Sequence, residues 1–309
     1  MAGNAKEVRL QRHGLPRLDA SLPTWFYYLF FFILPVGLVF WYSFGYKPDL
    51  FTTHANDLLS FDRYVEVSEG VFFQAFLRTL GIAVLGTGLA LIIGFPFAYW
   101  LSVKLTPKWR YVVLALVMIP YWTNFLIRTI GWQLILTGEG FLSQMLQAIG
   151  LIQGPLDVLG TSGAVQLGVV YNYLPMMILP LFVALERISP ALREASYDLG
   201  AGRWRTLFQV TLPQAMPGIG AGLLLVFVPL MGDYITGTVL GGVKGTMVGQ
   251  LVASDFLVAQ DWARGSAGAI VLIITILCVV AVAALIWRIT TLLYSRFNHI
   301  DVIGDPGRE

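Results

Sequence analysis

The residues best placed to do chemistry lie in a polar segment, 193–213, between two long apolar runs. The segment reads REASYDLGAGRWRTLFQVTLP and carries charges of both signs around a glycine at position 200. Charges on a short helix can pair with another protein, and a glycine that adopts a left-handed conformation ends such a helix. The pattern therefore favours a structured docking element, with an ordinary capped connecting loop as the alternative.

A second group of chemically capable residues lies within the apolar runs themselves. Asp233 and Arg128 are ionisable, and a charge at the centre of a bilayer costs about 2.5–3.5 kcal/mol. Such residues usually face a bundle interior or a wet cavity. Trp122, Tyr173 and Tyr234 can present aromatic faces to an ammonium group, for which Asp233 would be the counter-charge. A structural pair between Asp233 and Arg128 is the alternative.

The composition is that of a membrane protein. Of 309 residues, 57% are hydrophobic and only 12% are charged, with a net charge of +2, so the sequence does not indicate nucleic-acid binding. The single cysteine, Cys278, excludes an intrachain disulfide. The three histidines, His13, His54 and His299, have no metal-site spacing. A phosphate-binding P-loop, a Gly-x-Ser-x-Gly elbow and a His-Glu-x-x-His helix are also absent from the sequence.

Six apolar stretches are long enough to cross a membrane as helices, which requires about 20 residues. We predict spans at about 25–44, 76–101, 111–132, 164–185, 217–240 and 265–289. The apolar segment 134–152 is interrupted by Gly138-Glu139-Gly140 and fits a helix lying on the outer interface better than a span. The fold class is therefore an all-α membrane protein.

The distribution of lysine and arginine gives the expected orientation. The basic residues concentrate in the N-terminal segment, after the second span, after the fourth span and in the C-terminal tail, with arginine alone in the last two. By the positive-inside rule both termini and the 193–213 segment are cytosolic. We therefore predict a cytosolic segment at 1–24, a six-helix domain at 25–290 that includes a cytosolic loop at 186–213, and a cytosolic tail at 291–309.

The cytosolic loop is predicted to contain two short helices. Ser189 is a plausible N-cap, with Pro190 at the first helical position. Gly200 ends the first helix, and residues 203–211 can form a second one before Pro213 and Pro217 lead back into the membrane.

The spacing in this loop resembles the EAA motif of type I ABC-importer permeases. That pattern is Glu-Ala-Ala, three residues, Gly, nine residues and Ile-x-Leu-Pro; here it reads Glu-Ala-Ser at 194–196, Gly200 and Val-x-Leu-Pro at 210–213. The resemblance implies the fold known as MetI-like and a coupling helix that docks on a separate ATP-binding subunit. The coupling residues it indicates are Glu194, Ala195, Ser196, Asp198, Gly200, Arg203, Leu212 and Pro213.

Further phrases resemble the spermidine/putrescine branch, specifically its first permease subunit. They are IPYWTNFLIR at 119–128, YLPMMILPL at 173–181, and MGDYIT with LGG at 231–236 and 240–242. The candidate solute-path residues are Trp122, Asn124, Arg128, Tyr173, Asp233, Tyr234 and Thr236. One departure weakens the case for a polycation, because members of the branch often carry an acidic residue where this chain has Thr238.

The resemblance implies that the chain is a non-catalytic subunit of the bacterial inner membrane. Its partners would be a second homologous permease, two ATP-binding subunits that hold ATP and Mg²⁺, an extracytoplasmic solute-binding protein and the lipid bilayer. No cofactor is expected in this chain. The alternatives are an importer of another solute, such as an amino-acid derivative, ferric ion or a sulfur compound, an ion-driven secondary transporter and a membrane-embedded enzyme.

Overall fold

The computed structural model describes residues 18–297, with side chains described for 22–289. The predicted cytosolic segment 1–24 and tail 291–309 therefore lie largely outside the described residues. Within the described range the chain is helical and has one isolated β-bridge, Tyr46–Ala55. The helices are α1 (Leu18–Tyr28), α2 (Leu34–Tyr42), α3 (Asp62–Val67), α4 (Gly70–Lys104), α5 (Pro107–Tyr121), α6 (Phe125–Leu136), α7 (Phe141–Ala148), α8 (Ser162–Glu186), α9 (Pro190–Asp198), α10 (Arg203–Thr206), α11 (Leu212–Met231), α12 (Val248–Leu257) and α13 (Trp262–Phe297). Wider π-helical turns occupy Leu29–Ile33, Leu207–Thr211 and Gly237–Gly241.

Five helical segments are long and apolar enough to cross a membrane, and a sixth crossing is possible through a bent pair of helices. The five are Leu22–Tyr42, Gly70–Lys104, Ser162–Glu186, Arg203–Met231 and Trp262–Ile289. They overlap the first, second, fourth, fifth and sixth predicted spans. The all-α membrane architecture is thus confirmed.

The third predicted span, 111–132, is not one straight helix. The chain breaks after Tyr121, and the flanking helical segments Pro107–Tyr121 and Phe125–Ala148 are bent by 84°. The break has a local cause, because the Asn124 side chain accepts a hydrogen bond from the Leu126 amide at 2.8 Å and caps the new helix α6. The predicted interfacial segment 134–152 contains the short helix α7, which follows Gly140.

The fifth predicted span, 217–240, has the wrong bounds. The helix begins in the cytosolic loop at Arg203 and ends at Met231, so residues 203–211 do not form a separate second helix. The π-helical turn Leu207–Thr211 joins α10 to α11 and accommodates Pro213, which lacks an amide hydrogen, inside the continuous helix. After Met231 the chain turns at Gly232 and restarts as a short helix that includes Gly237–Gly241.

The core lies where α4, α8 and α11 pack against one another. Glycine permits the closest approach: a Cβ on Gly218 of α11 would overlap the Ala184 side chain and lie 2.7 Å from the Pro180 carbonyl oxygen of α8. Small residues allow such backbone contact between membrane helices, where packing rather than water exclusion drives association.

We expect Gly218→Val to lower the melting temperature of the purified protein by several degrees, because helices α8 and α11 must separate to admit the side chain. Gly220→Val is the matched control, since a Cβ on Gly220 of the same helix meets no atom within 4 Å. Thermal unfolding in detergent, followed by circular dichroism, measures both. Equal shifts for the two variants would contradict the packing argument.

Candidate functional site

The predicted coupling loop is an ordered helix-turn-helix at one end of the bundle. Helix α9 ends in a Schellman motif centred on Gly200, whose φ is +80°. The Gly200 amide donates to the Tyr197 carbonyl at 2.9 Å and the Ala201 amide to the Ser196 carbonyl at 3.0 Å. Gly200 therefore stops α9, as the spacing predicted. Ser189 occupies the N-cap position, but its side chain makes no capping hydrogen bond.

A hydroxyl pair ties the two arms of this loop together. Ser196 Oγ lies 2.9 Å from the Oγ1 of Thr206, and Thr206 is buried on α10. Ser196 stands where the EAA pattern has alanine, so this hydrogen bond is a feature of the present sequence that the pattern did not indicate. The bond fixes α9 against α10 and limits how far the loop can open.

The outer surface of the loop is free for another protein. Glu194, Asp198 and Arg203 are exposed, and within residues 22–289 none of them forms an ion pair. Leu199 and Trp204 are 89% and 74% exposed beside them. Of the remaining predicted coupling residues, Ala195 and Pro213 are exposed and Leu212 packs against the core. The loop thus presents charged and apolar groups together.

A cleft of about 680 Å³ opens beside the break between α5 and α6. Its wall is formed by the α5–α6 break, the middle of α8 and the end of α11. The lining residues are Tyr121, Trp122, Thr123, Phe125, Arg128, Asn172, Tyr173, Met176 and Pro229. Because α8 is long enough to span a bilayer, residues at its midpoint place this cleft at membrane depth.

Arg128 is the charged side chain among these lining residues. Its guanidinium lies 5.3 Å from the centre of the Tyr121 ring and 5.5 Å from that of Phe125. One of its terminal nitrogens is 3.5 Å from the Asn172 carbonyl oxygen, and its Nε is buried without a hydrogen-bond partner in the described chain. Arg128 therefore contacts both sides of the helix break, Tyr121 and Phe125, as well as α8, and its Nε–H remains available as a hydrogen-bond donor.

Asp233 lies behind the cleft wall rather than in it. The residue is 6% exposed, and its carboxylate accepts hydrogen bonds from the Thr236 amide at 3.0 Å and the Thr236 hydroxyl at 2.5 Å. The Tyr173 phenol also interacts with this carboxylate. No ion pair joins Asp233 to Arg128 in the described residues. The aspartate thus caps the short helix that follows, and Tyr173 connects it to the cleft.

The structure therefore brings together only part of the predicted solute path. Trp122, Arg128 and Tyr173 line the cleft, whereas Asp233 and Thr236 are buried next to it. Asn124 caps α6, and Tyr234 is half exposed without lining the cleft. The sequence interpretation missed six lining residues: Tyr121, Thr123, Phe125, Asn172, Met176 and Pro229. Two of them had a local signal, since Phe125 is one turn from Arg128 and Asn172 is a polar residue in an apolar span.

Comparison with known proteins places these features in a family. Residues 86–298 match the family described as "Binding-protein-dependent transport system inner membrane component". The spermidine/putrescine transport system permease protein PotB of Salmonella typhimurium is 35% identical over 87% of this chain and 92% of its own length. The protein of the same name from Haemophilus influenzae is 39% identical over 77% and 82%, respectively.

Solved structures agree with the fold. A bacterial ABC transporter that imports the acidic polysaccharide alginate superposes with a TM-score of 0.68, covering 88% of this chain and 94% of that one at 22% identity. The MetNI methionine ABC transporter gives a TM-score of 0.55 over 70% of this chain and 94% of its own at 20% identity. These likenesses confirm the MetI-like membrane fold that the EAA spacing implied. The chain therefore belongs to the inner membrane components of binding-protein-dependent transport systems, as a multi-pass ABC-importer permease related to the spermidine/putrescine permeases.

Proposed function

We propose that this chain is a permease subunit of an ATP-driven importer that takes up polyamines, spermidine and putrescine above all. The supporting observation is that the relatives with that function in their names match nearly from end to end. The chain itself would be non-catalytic and hold no cofactor. ATP and Mg²⁺ would bind two separate ATP-binding subunits, consistent with a sequence that has no P-loop.

The coupling loop is the proposed contact with one ATP-binding subunit. With both termini in the cytosol, α9 and α10 face the cytosol, where Glu194 and Asp198 offer acceptors and Leu199 and Trp204 offer apolar anchors. The loop continues without a break into the membrane helix Arg203–Met231. Movement of the ATP-binding subunit would therefore be transmitted to α11 through the continuous helix that begins at Arg203, and not through a flexible linker.

The cleft is the proposed half of the solute path that this chain supplies. It opens on one side, where a second homologous permease would close it. Trp122 offers an aromatic face to an ammonium group, whereas the rings of Tyr121 and Phe125 already hold the Arg128 guanidinium. The Tyr173 phenol connects the cleft to the carboxylate of Asp233. An external solute-binding protein would deliver the solute and provide much of the selectivity.

Arg128 favours a second candidate, an importer of the same type for an amino-acid derivative. The charged side chain that lines the cleft is positive, whereas the nearby carboxylate of Asp233 is already hydrogen-bonded to Thr236. The spare Nε donor of Arg128 suits a solute carboxylate. Thr238 stands where the resemblance to the spermidine/putrescine branch implies an acidic residue, and this departure also favours the second candidate.

Uptake by the reconstituted importer distinguishes the two candidates. Proteoliposomes that contain this chain, its permease partner and the ATP-binding subunits, with the solute-binding protein outside, should accumulate labelled spermidine only with ATP inside. We expect uptake at least tenfold above vesicles loaded with ADP, and unlabelled putrescine should compete while glutamate should not. Spermidine uptake that is independent of ATP, or accumulation of a carboxylated solute instead, would contradict the polyamine proposal.

A further inference from the structure

Asp255 is a buried carboxylate that the solute path does not use. It lies near the end of α12, at the far end of α11 from the coupling loop, and is only 7% exposed. Its Oδ2 has no hydrogen-bond partner in the described chain. Arg264 of α13 is the adjacent cation, with its Nε 3.8 Å from that oxygen and likewise buried without a hydrogen-bond partner. The two groups therefore attract each other, but neither replaces the hydrogen bonds that water would supply.

Burial raises the pKa of Asp255 to about 6, because the charged form is deprived of water. The charged groups that face the carboxyl largely offset one another. Arg264 and Arg63 of α3 favour ionisation, whereas Asp261 of the loop before α13 and Glu66 of α3 oppose it. Arg63 is shared, since it pairs with Glu66 at 2.8 Å and with Asp261 at 3.4 Å. The surroundings of Asp255 therefore do not compensate for its burial.

Further ionisable groups on the elements around α12 have partners of their own. Arg78 of α4 donates to a backbone carbonyl just before α12 at 3.3 Å. Lys47, on the loop between α2 and α3, donates to a backbone carbonyl of the loop after α12 at 2.7 Å, and the ring of His54 on the same loop packs against an indole of α13. Asp233 is hydrogen-bonded within its own turn. These groups are engaged, whereas one oxygen of Asp255 is not.

Helix α12 lies between α13 and the turn that carries Asp233. On one side, a Cβ on Gly249 of α12 would lie 2.8 Å from the Gly232 carbonyl oxygen, which begins that turn. On the other side, a Cβ on Gly265 of α13 would lie 2.9 Å from the ring of Phe256, the residue after Asp255. Contacts this close mean that α12 cannot shift without moving the turn behind the cleft.

We infer that Asp255 makes α12 a pH-sensitive support for the outer part of the solute path. This inference rests on the proposed function and on its orientation, which place α12 outside the cytosol. At acidic external pH the carboxyl is neutral and α12 stays packed as in the structure. At neutral pH the ionised carboxyl gains from contact with water, so α12 moves outward more readily. Through Gly249 and the turn at Gly232 that movement reaches Asp233 behind the cleft, and external acid therefore slows the transport cycle.

The melting temperature of the assembled importer tests how Asp255 titrates. Asparagine has nearly the shape of a neutral aspartic acid and stays neutral at every pH. The carboxyl of Asp255 has a raised pKa in the folded chain and its ordinary, lower pKa when unfolded, so wild type loses stability between about pH 4 and pH 6. Asp255→Asn avoids this loss. The difference in melting temperature between the variant and wild type should grow by about 4 °C from about pH 4.5 to pH 7 and then stay constant.

ATP-driven uptake of spermidine tests the effect on transport. Proteoliposomes are buffered at neutral pH inside, and the outside is set to about pH 5 or about pH 7.5 with the solute-binding protein at saturation. Wild-type uptake should be at least threefold slower at the acidic external pH, whereas Asp255→Asn should be slow at both. Asp62→Asn is the matched control, because Asp62 of α3 is exposed and forms no ion pair in the described part of the chain. It should follow wild type.

Two results would overturn the inference. One is a difference in melting temperature that does not change with pH. The other is uptake by Asp255→Asn that follows the wild-type pH profile or equals wild type at neutral pH. A wild-type importer that hydrolyses ATP in response to the binding protein but never accumulates spermidine would overturn the proposed function instead. The pH profile of ATP hydrolysis, compared between wild type and Asp255→Asn, would then decide the inference.

Discussion

Replacing Gly200 with valine is expected to reduce ATP-driven uptake at least tenfold while membrane insertion and subunit assembly remain normal. Gly200 holds a φ of +80°, and a left-handed conformation costs an L-residue about 1–2 kcal/mol, with β-branched side chains at the high end. A Cβ at this position meets no atom within 4 Å, so the penalty comes from the backbone and not from a clash. The Schellman motif would therefore unwind and move α9 away from its partner.

The matched control is Gly202→Val on the same loop. Gly202 has a φ of −71°, which any residue adopts, and open space around its Cβ position. Uptake of spermidine by proteoliposomes and pull-down of the ATP-binding subunit are measured for both variants, with Glu194→Ala as a third variant that removes an exposed acceptor. Full uptake by Gly200→Val would refute a coupling role for this loop.

The coupling loop could be predicted from the sequence because its signals are local. The glycine that ends α9, the proline that begins it and the spacing to Leu212 all lie within one short, continuous segment of the chain. The extension of the helix back to Arg203 was missed, because prolines at 213 and 217 were expected to separate loop from span. The π-helical turn Leu207–Thr211 accommodates Pro213 without ending the helix.

The breaks in the membrane helices could not be predicted by average hydropathy. When hydropathy is averaged over a window of about 20 residues, the stretches 111–132 and 217–240 both score as uniformly apolar. Each break is instead set by one polar side chain that caps a new helix, Asn124 for α6 and Asp233 for the short helix after α11. The sequence analysis singled out both residues but predicted that they line the solute path. A polar side chain at membrane depth usually faces a cavity, and a capping role was not considered.

The cleft depends on contacts between distant parts of the chain. Arg128 meets Asn172, and Tyr173 meets Asp233, only after α8 has packed against α6 and α11. Spacing along the sequence carries no information about such pairs. For this reason the sequence left open whether Asp233 faces Arg128 or the solute. In the structure the carboxylate of Asp233 is instead hydrogen-bonded to Thr236.

The charge of Asp233 can be separated from its capping role by Asp233→Asn. Asparagine retains an oxygen for the Thr236 amide, and its amide group can donate to the Thr236 hydroxyl, so the cap persists while the negative charge is lost. If the carboxylate assists a polycation, we expect uptake of spermidine to fall about tenfold, equivalent to about 1.4 kcal/mol. The loss should be smaller for an N-acetylated polyamine of lower charge.

Thr236→Val is the matched control for this prediction, because it removes the hydroxyl bond to Asp233 and keeps the charge. Transport rates for spermidine and for its acetylated derivative are measured at a saturating concentration of solute-binding protein, together with the rate of ATP hydrolysis. A carboxylate that serves the solute changes the ratio of the two transport rates in Asp233→Asn and not in Thr236→Val. Losses that are equal for both solutes, or a parallel collapse of ATP hydrolysis, would instead identify Asp233 as a purely structural cap at the end of α11.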